Sequence, residues 1–163
     1  MCIFKIYRMS RNLMIMTLRH QARILAVQAL YEWDIAHHAP FIALERQVQA
    51  RSIAHRPAKF AHILVDSVIE HLQQIDERLA EAAPQRPLAQ MARVEKAILR
   101  LAICEILYNN AVPARAAINE AVELAKTYGG ENSARFVNGV LGTIFSQSEA
   151  SIATITHPES EAT

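Results

Sequence analysis

The chain has 163 residues, enough for one domain with a buried core but short for two, and 52% of them are of apolar types. Seventeen Lys and Arg against sixteen Asp and Glu leave a formal charge of +1, which excludes binding to nucleic acid through overall basicity. Two cysteines exclude a disulfide framework and favour a cytoplasmic protein, and no apolar run reaches the roughly 18 residues that a membrane span requires.

Charge is unevenly distributed at the start of the chain. The first 31 residues carry five basic side chains and no acidic one: Lys5, Arg8, Arg11, Arg19 and Arg23. Residues 1–16 show no clear apolar period, and we expect a basic extension that is disordered or a start-site artefact. The predicted organisation is this extension, a helical domain over 17–147 and a flexible tail over 148–163.

The first predicted helix runs from Leu18 to about residue 37. Its apolar residues recur three and four positions apart and form one stripe, with Tyr31 nearly opposite the stripe's centre and Arg19 and Arg23 on its flank. We therefore expect these three side chains to be on the surface.

Prolines mark the next elements. Pro40 separates the first helix from a weaker one over 41–54, and Pro57 opens a third helix whose apolar stripe continues until Pro84. The following helix, over 93–109, is apolar on nearly every side and is predicted to be central. If they are buried, its Arg100 and Glu105 must find partners.

Two further helices complete the predicted domain. Pro113 opens a helix that Gly129 and Gly130 cap, and Asn132 or Ser133 caps the last helix, which ends near residue 146. Gly139 inside that helix suggests close approach of a neighbour. The sequence predicts an all-α fold, a compact bundle of about seven helices.

No catalytic or metal-binding pattern is present. The glycine pair lacks the spacing of a phosphate-binding loop, and His62 and Asp66 lack further ligands nearby. Cys104 lies in an apolar helix, and Glu120 and Glu123 are typical surface charges. We predict no catalytic residue, no metal and no cofactor, hence no enzyme.

One segment suggests RNA binding from its chemistry. Arg19 and Arg23 lead into Ala-Val-Gln-Ala-Leu-Tyr-Glu-Trp over 26–33, which places cations and an aromatic ring on one helix. Arginine pairs with phosphate, and a Tyr ring can stack on an unpaired base, a combination suited to single-stranded RNA.

The run over 112–141, Val-Pro-Ala-Arg-Ala-Ala-Ile-Asn-Glu through Asn-Gly-Val-Leu, resembles the C-terminal signature of the NusB family. Val94-Glu-Lys-Ala-Ile-Leu-Arg-Leu-Ala and the 26–33 segment resemble that family's two other landmarks, in the same order. This resemblance implies a bundle of about seven helices that binds the boxA element of ribosomal RNA leader transcripts. It also implies the ribosomal protein NusE as partner within the RNA polymerase antitermination complex, without catalysis.

The resemblance also assigns roles to individual residues. The start of the first helix, its Tyr and the start of the last helix form the RNA face, and the helix of the Val94 motif contacts NusE. The RNA residues would be Arg19, Arg23, Gln28, Tyr31, Asn132, Arg135 and Phe136, and the partner residue Glu95. Many members begin the first helix with three or four arginines. This chain has Arg19-His20-Gln21-Ala22-Arg23, so we expect lower affinity and weaker salt dependence.

Other interpretations remain open at this point. The chain could be an RNA-binding accessory module related to the N-terminal domain of ribosomal RNA cytosine methyltransferases, or a structural homodimer that buries Ile24, Val27 and Tyr31 between subunits. Phe136 could be a core residue, Asn132 a helix cap and Glu95 a surface charge.

Overall fold

A computed structural model describes the backbone of residues 17–109 and 112–156 and the side chains as far as residue 151. The described part contains seven α-helices, one short 3-10 turn at Leu88–Gln90 and no strand, which confirms the all-α prediction. The helices are α1 (Leu18–Ala36), α2 (Pro40–Ala50), α3 (His55–Glu70), α4 (Leu72–Ala82), α5 (Arg93–Tyr108), α6 (Ala114–Tyr128) and α7 (Ser133–Thr156). The predicted extension 1–16 lies outside the described residues.

Helix α5 is the centre of the bundle. It packs against α1, α3, α4, α6 and α7, and every residue from Ala97 to Glu105 is buried. A helix with five neighbours needs apolar side chains all round, so the sequence prediction of a central helix is confirmed. Helix α1 packs on α2 and α3 as well as α5, and α6 packs on α7.

Arg100 and Glu105, the two charges in the central part of α5, have partners, as predicted. The Arg100 guanidinium donates two hydrogen bonds of 2.8 Å to the Asp76 carboxylate and lies 3.5 Å from Asp34. Glu105 accepts hydrogen bonds from Arg23. Paired charges of this kind keep α5 buried without an uncompensated ion, although removing one partner would be costly.

The third predicted helix is two helices. The chain breaks at His71, whose backbone leaves the helical region (φ −106°, ψ 16°). Its Nδ1 lies 2.9 Å from the Ser67 carbonyl oxygen, and its ring stacks on Tyr108 with centroids 3.9 Å apart. The sequence concealed the break because α3 and α4 continue one apolar stripe. The break separates α3, which packs on α1, from α4, which packs on α7.

Two predictions about α7 differ from the structure. Gly139 is exposed and a Cβ there would meet nothing within 4 Å, so the predicted close approach is wrong. Gly129 is the constrained glycine, because a Cβ there would overlap the Ser133 side chain and the Ala125 carbonyl. The helix also continues to Thr156, so part of the predicted tail over 148–163 is helical. Residues 157–163 lie outside the described part.

None of the described helices combines the length and the apolar character needed to cross a membrane.

Candidate nucleic-acid interface

The start of α1 presents Arg19 to solvent. Thr17 caps the helix by accepting a hydrogen bond from the His20 backbone N–H at 3.3 Å, and Arg19 in the first turn is exposed. The neighbouring His20 differs, since its Nδ1 lies 2.7 Å from Glu120 of α6. Of the two arginines predicted on this surface, Arg19 is placed as expected.

Arg23 is inside the protein, which corrects the sequence prediction. Only 4% of the residue is exposed. Its Nε and Nη2 donate to the Glu105 carboxylate at 3.0 and 2.8 Å, and Nη1 lies 3.6 Å from Glu120. Both carboxylates come from helices far away in the chain, so the first helix gave no sign of them. Arg23 therefore joins α1, α5 and α6 and does not face phosphate directly.

Gln28 is also buried, at 4% exposure, which corrects its predicted place on the RNA face. Its side-chain carbonyl accepts a hydrogen bond of 2.9 Å from Arg51, the residue that follows α2. Arg51 is half-buried and places a cation near this part of α1. Sequence reasoning missed it because no regular spacing links the end of α2 to Gln28.

Arg51 also influences a buried tyrosine. Burial raises the pKa of Tyr128, and the positive charge of Arg51 partly opposes that rise. The Tyr128 hydroxyl has no hydrogen-bond partner within the described residues. It therefore stays neutral at physiological pH.

Tyr31 is half-buried and packs against the core with part of its ring accessible. Ile24 and Val27, the other members of the predicted dimer patch, are buried within the monomer at 1% and 3% exposure. A homodimer could not bury them further, so this alternative loses the surface on which it was based.

Glu95, the predicted partner contact, is buried as well. Its Oε1 accepts a hydrogen bond of 2.5 Å from the Ser133 hydroxyl, and its Oε2 lies 3.0 Å from Arg86. Ser133 in turn accepts a hydrogen bond from the Gly130 backbone N–H at 2.9 Å. Glu95 thus fixes the start of α7 from inside, and its carboxylate is not available to a partner protein.

The remaining predicted residues lie at the start of α7, Asn132 directly before the helix and Arg135 and Phe136 in its first turn. Asn132 and Arg135 are exposed. Phe136 is half-buried, and the Arg86 guanidinium lies 4.2 Å from its ring centroid. Phe136 packs on the core with part of its surface accessible, so it fits neither a fully buried core residue nor a free ring.

The predicted RNA residues fall into two groups along the bundle. The Arg23 pair with Glu105 places the start of α1 at the C-terminal half of α5, and the Ser133 bond to Glu95 places the start of α7 at the N-terminal end of α5. Ten residues of helix separate these two glutamates by about 15 Å. Tyr31 lies towards the α7 end, because Asp34, one turn further, contacts Lys96 at 3.0 Å.

The described residues contain no cluster of three His, Cys, Asp or Glu side chains suited to a metal ion. Burial raises the pKa of the Cys104 thiol to about 11, an effect that the Ser67 hydroxyl opposes. Cys104 is therefore a neutral thiol near pH 7 and a poor nucleophile.

Comparison with known proteins places the chain clearly. The model of the NusB family matches residues 20–146. A transcription antitermination protein NusB from Roseiflexus castenholzii is 44% identical over 133 residues, covering 80% of this chain and 94% of that protein. Its counterpart from Chloroflexus aggregans is 46% identical over 128 residues, covering 77% and 85%. The fold also matches a chain in a crystal structure of antitermination factors NusB and NusE in complex with double-stranded RNA, with a TM-score of 0.74. The two sequences are 28% identical, and the match covers 82% of this chain and 99% of that one.

Proposed function

The chain belongs to the NusB family, and from this membership we propose that it is a transcription antitermination factor that binds RNA together with NusE. It acts by binding and not by catalysis. The observation that carries the proposal is the family match over residues 20–146, which contains every predicted RNA residue except Arg19.

The proposed RNA is the boxA element of ribosomal RNA leader transcripts, bound as part of the RNA polymerase antitermination complex. Because nascent transcripts are made in the cytoplasm of bacteria, we propose a cytoplasmic protein. The methyltransferase-module interpretation is not favoured, since the relatives described above are antitermination proteins.

The RNA face is proposed to use the predicted residues that reach the surface. Arg19 and Arg135 are exposed cations for phosphate, Asn132 is an exposed polar group, and Tyr31 and Phe136 are partly accessible rings. We propose that the RNA passes over these five residues, from α1 to α7.

The buried members of the predicted set support this surface from inside. Arg23 and Gln28 hold α1 against its neighbours, and Glu95 holds Arg86 and Ser133. We expect Glu95 to affect NusE binding only through the side chains that it positions.

RNA-binding titrations, repeated at several salt concentrations, test the proposal. A single-stranded RNA containing boxA and a scrambled RNA of equal composition are titrated with the chain, with and without purified NusE. We expect weak binding by the chain alone, tighter binding with NusE and a preference for boxA. Equal binding of both RNAs in the presence of NusE would contradict the proposed specificity, and absence of RNA binding in all conditions would reject the function.

A further inference from the structure

An open groove lies beside the first turns of α7. One wall is formed by the end of α4 and the linker after it, over residues 82–86, and the other by Arg135, Phe136, Val140 and Thr143. Its volume is about 410 Å³, which is sufficient for a nucleobase. The described residues that line it include two arginines and no acidic side chain.

The Arg86 side chain lines this groove, and two contacts orient it. One Nη1–H donates to the buried Glu95 carboxylate at 3.0 Å, and the guanidinium carbon lies 4.2 Å from the Phe136 ring centroid. Glu95 is itself held by Ser133. The Arg86 side chain nevertheless keeps 43% of its surface exposed, so the guanidinium is positioned without being enclosed.

We propose that Arg86 and Phe136 together form a stacking platform for one unpaired RNA base in this groove, with Arg135 contacting an adjacent phosphate. The inference rests on the proposed function and adds Arg86 to it. Single-stranded RNA is recognised by stacking of its bases on aromatic rings and on arginine guanidinium planes. Here the ring supports the guanidinium from one side, and the base covers the guanidinium from the other.

The chemistry of the groove favours RNA as its occupant. Glu95 balances the Arg86 charge, so Arg86 contributes mainly a flat polar surface, and the exposed Arg135 supplies the charge for phosphate. Sequence reasoning missed Arg86 because it lies in a linker between Pro84 and Pro87, where no helical period assigns it to a surface.

The substitution Arg86→Lys tests the platform, because lysine keeps a positive partner for Glu95 but has no planar guanidinium. The probe is a single-stranded boxA RNA with 2-aminopurine placed at successive positions, titrated in the presence of NusE. We expect about 5- to 150-fold weaker binding at each salt concentration, the range for one stacked base. The salt slope should remain as in the wild type, and quenching should be lost at one RNA position.

Arg78→Lys is the matched control. Like Arg86, Arg78 pairs with a glutamate, and its side chain is 41% exposed on α4. It lies outside the groove, so its substitution should leave affinity and quenching unchanged. Phe136→Leu is the second variant, because it keeps an apolar side chain but removes the ring. It should reproduce the loss seen with Arg86→Lys, and wild-type affinity of Phe136→Leu would overturn the platform even if Arg86→Lys fails to fold.

Wild-type affinity and quenching in both folded variants would overturn the inference and leave Arg86 as a cover for Phe136. The proposed function would survive that result, since the wild type would still bind boxA RNA. Failure of the wild-type chain to bind RNA with NusE would instead reject the proposed function itself.

Discussion

Arg23 and Arg86 make the same first contact in two different regions. Each guanidinium lies about 3 Å from a buried glutamate of α5, Glu105 for Arg23 and Glu95 for Arg86. The second neighbour differs. Arg23 meets another carboxylate, Glu120 of α6, and its side chain is 5% exposed, whereas Arg86 meets the Phe136 ring and remains 43% exposed beside an open groove.

This difference separates a structural arginine from one available for binding. Two carboxylates pair with the Arg23 guanidinium and join three helices at this point, so its charge stabilises the fold. One carboxylate and one ring orient Arg86 but leave one face of its guanidinium exposed to solvent. An ion pair with a glutamate therefore does not by itself decide whether an arginine binds ligand; the remaining neighbours do.

The largest expected effect is on stability, through the buried Arg23 that joins α1, α5 and α6. Arg23→Ala leaves Glu105 buried without its main partner and should lower the free energy of unfolding by about 3–5 kcal/mol, measured by urea denaturation. Arg19→Ala, one turn earlier and exposed, should change it by less than about 0.5 kcal/mol. A stable Arg23→Ala variant with a reduced salt slope for RNA would show that Arg23 reaches the surface after all.

A smaller loss is expected at the other end of α5. Glu95→Gln keeps the shape but removes the charge that holds Ser133 and Arg86, so the free energy of unfolding should fall by about 1–3 kcal/mol. Hydrogen exchange should quicken in the first turns of α7. The control is Glu123→Gln, an exposed carboxylate on α6 that pairs with Lys126, where no more than about 0.5 kcal/mol is expected. Unchanged exchange in α7 would contradict the anchoring role.

Tyr31→Ala tests the accessible ring on α1 through RNA affinity. If the ring stacks on a base, binding with NusE should weaken by about 1–3 kcal/mol. Tyr31→Phe keeps the ring and should bind nearly as the wild type does. Equal losses in both variants would indicate a hydroxyl contact and not stacking.

Arg135→Ala tests the phosphate contact and should have a modest effect on affinity. Removing one contact from single-stranded RNA should flatten the slope of log affinity against log salt by about 0.7. Arg86→Lys keeps the charge and should leave that slope unchanged, so lost affinity at a constant slope would indicate stacking in the same groove. An unchanged slope for Arg135→Ala would contradict its contact with phosphate.

The smallest effect concerns Cys104, which precedes Glu105, the buried partner of Arg23. Burial raises its pKa from an ordinary value of 9.0 to about 11, so the folded protein favours the neutral thiol. This contribution to stability is complete below about pH 9 and is lost as the pH rises towards about 11. A thiol reagent at pH 8 should label the native protein very slowly and Arg23→Ala faster. Rapid labelling of the wild type would contradict the burial of Cys104.

Local patterns predicted much of the fold. The all-round apolar character of α5 indicated a central helix, and the charges Arg100 and Glu105 within it indicated that each needs a partner. Pro40, Pro113 and the Gly129 pair marked helix boundaries correctly, because proline and glycine act on the backbone at their own positions. The break at His71 was missed, since the apolar stripe continues across it.

The candidate site was predicted less completely. Arg19, Tyr31, Asn132, Arg135 and Phe136 retain accessible surface, whereas Arg23, Gln28 and Glu95 are buried. All three buried residues are polar side chains whose partners lie on other elements: Glu105, Arg51 and Ser133. A helical projection of one segment cannot contain such partners.

The sequence by itself determined that the fold is helical, which helix lies at the centre and which family signature the chain carries, because these depend on spacing along the chain. Only the tertiary structure decided which arginines remain available for binding. A charge is buried or exposed according to the carboxylates and rings that other helices bring within about 3–4 Å, and those neighbours are set by packing and not by sequence distance.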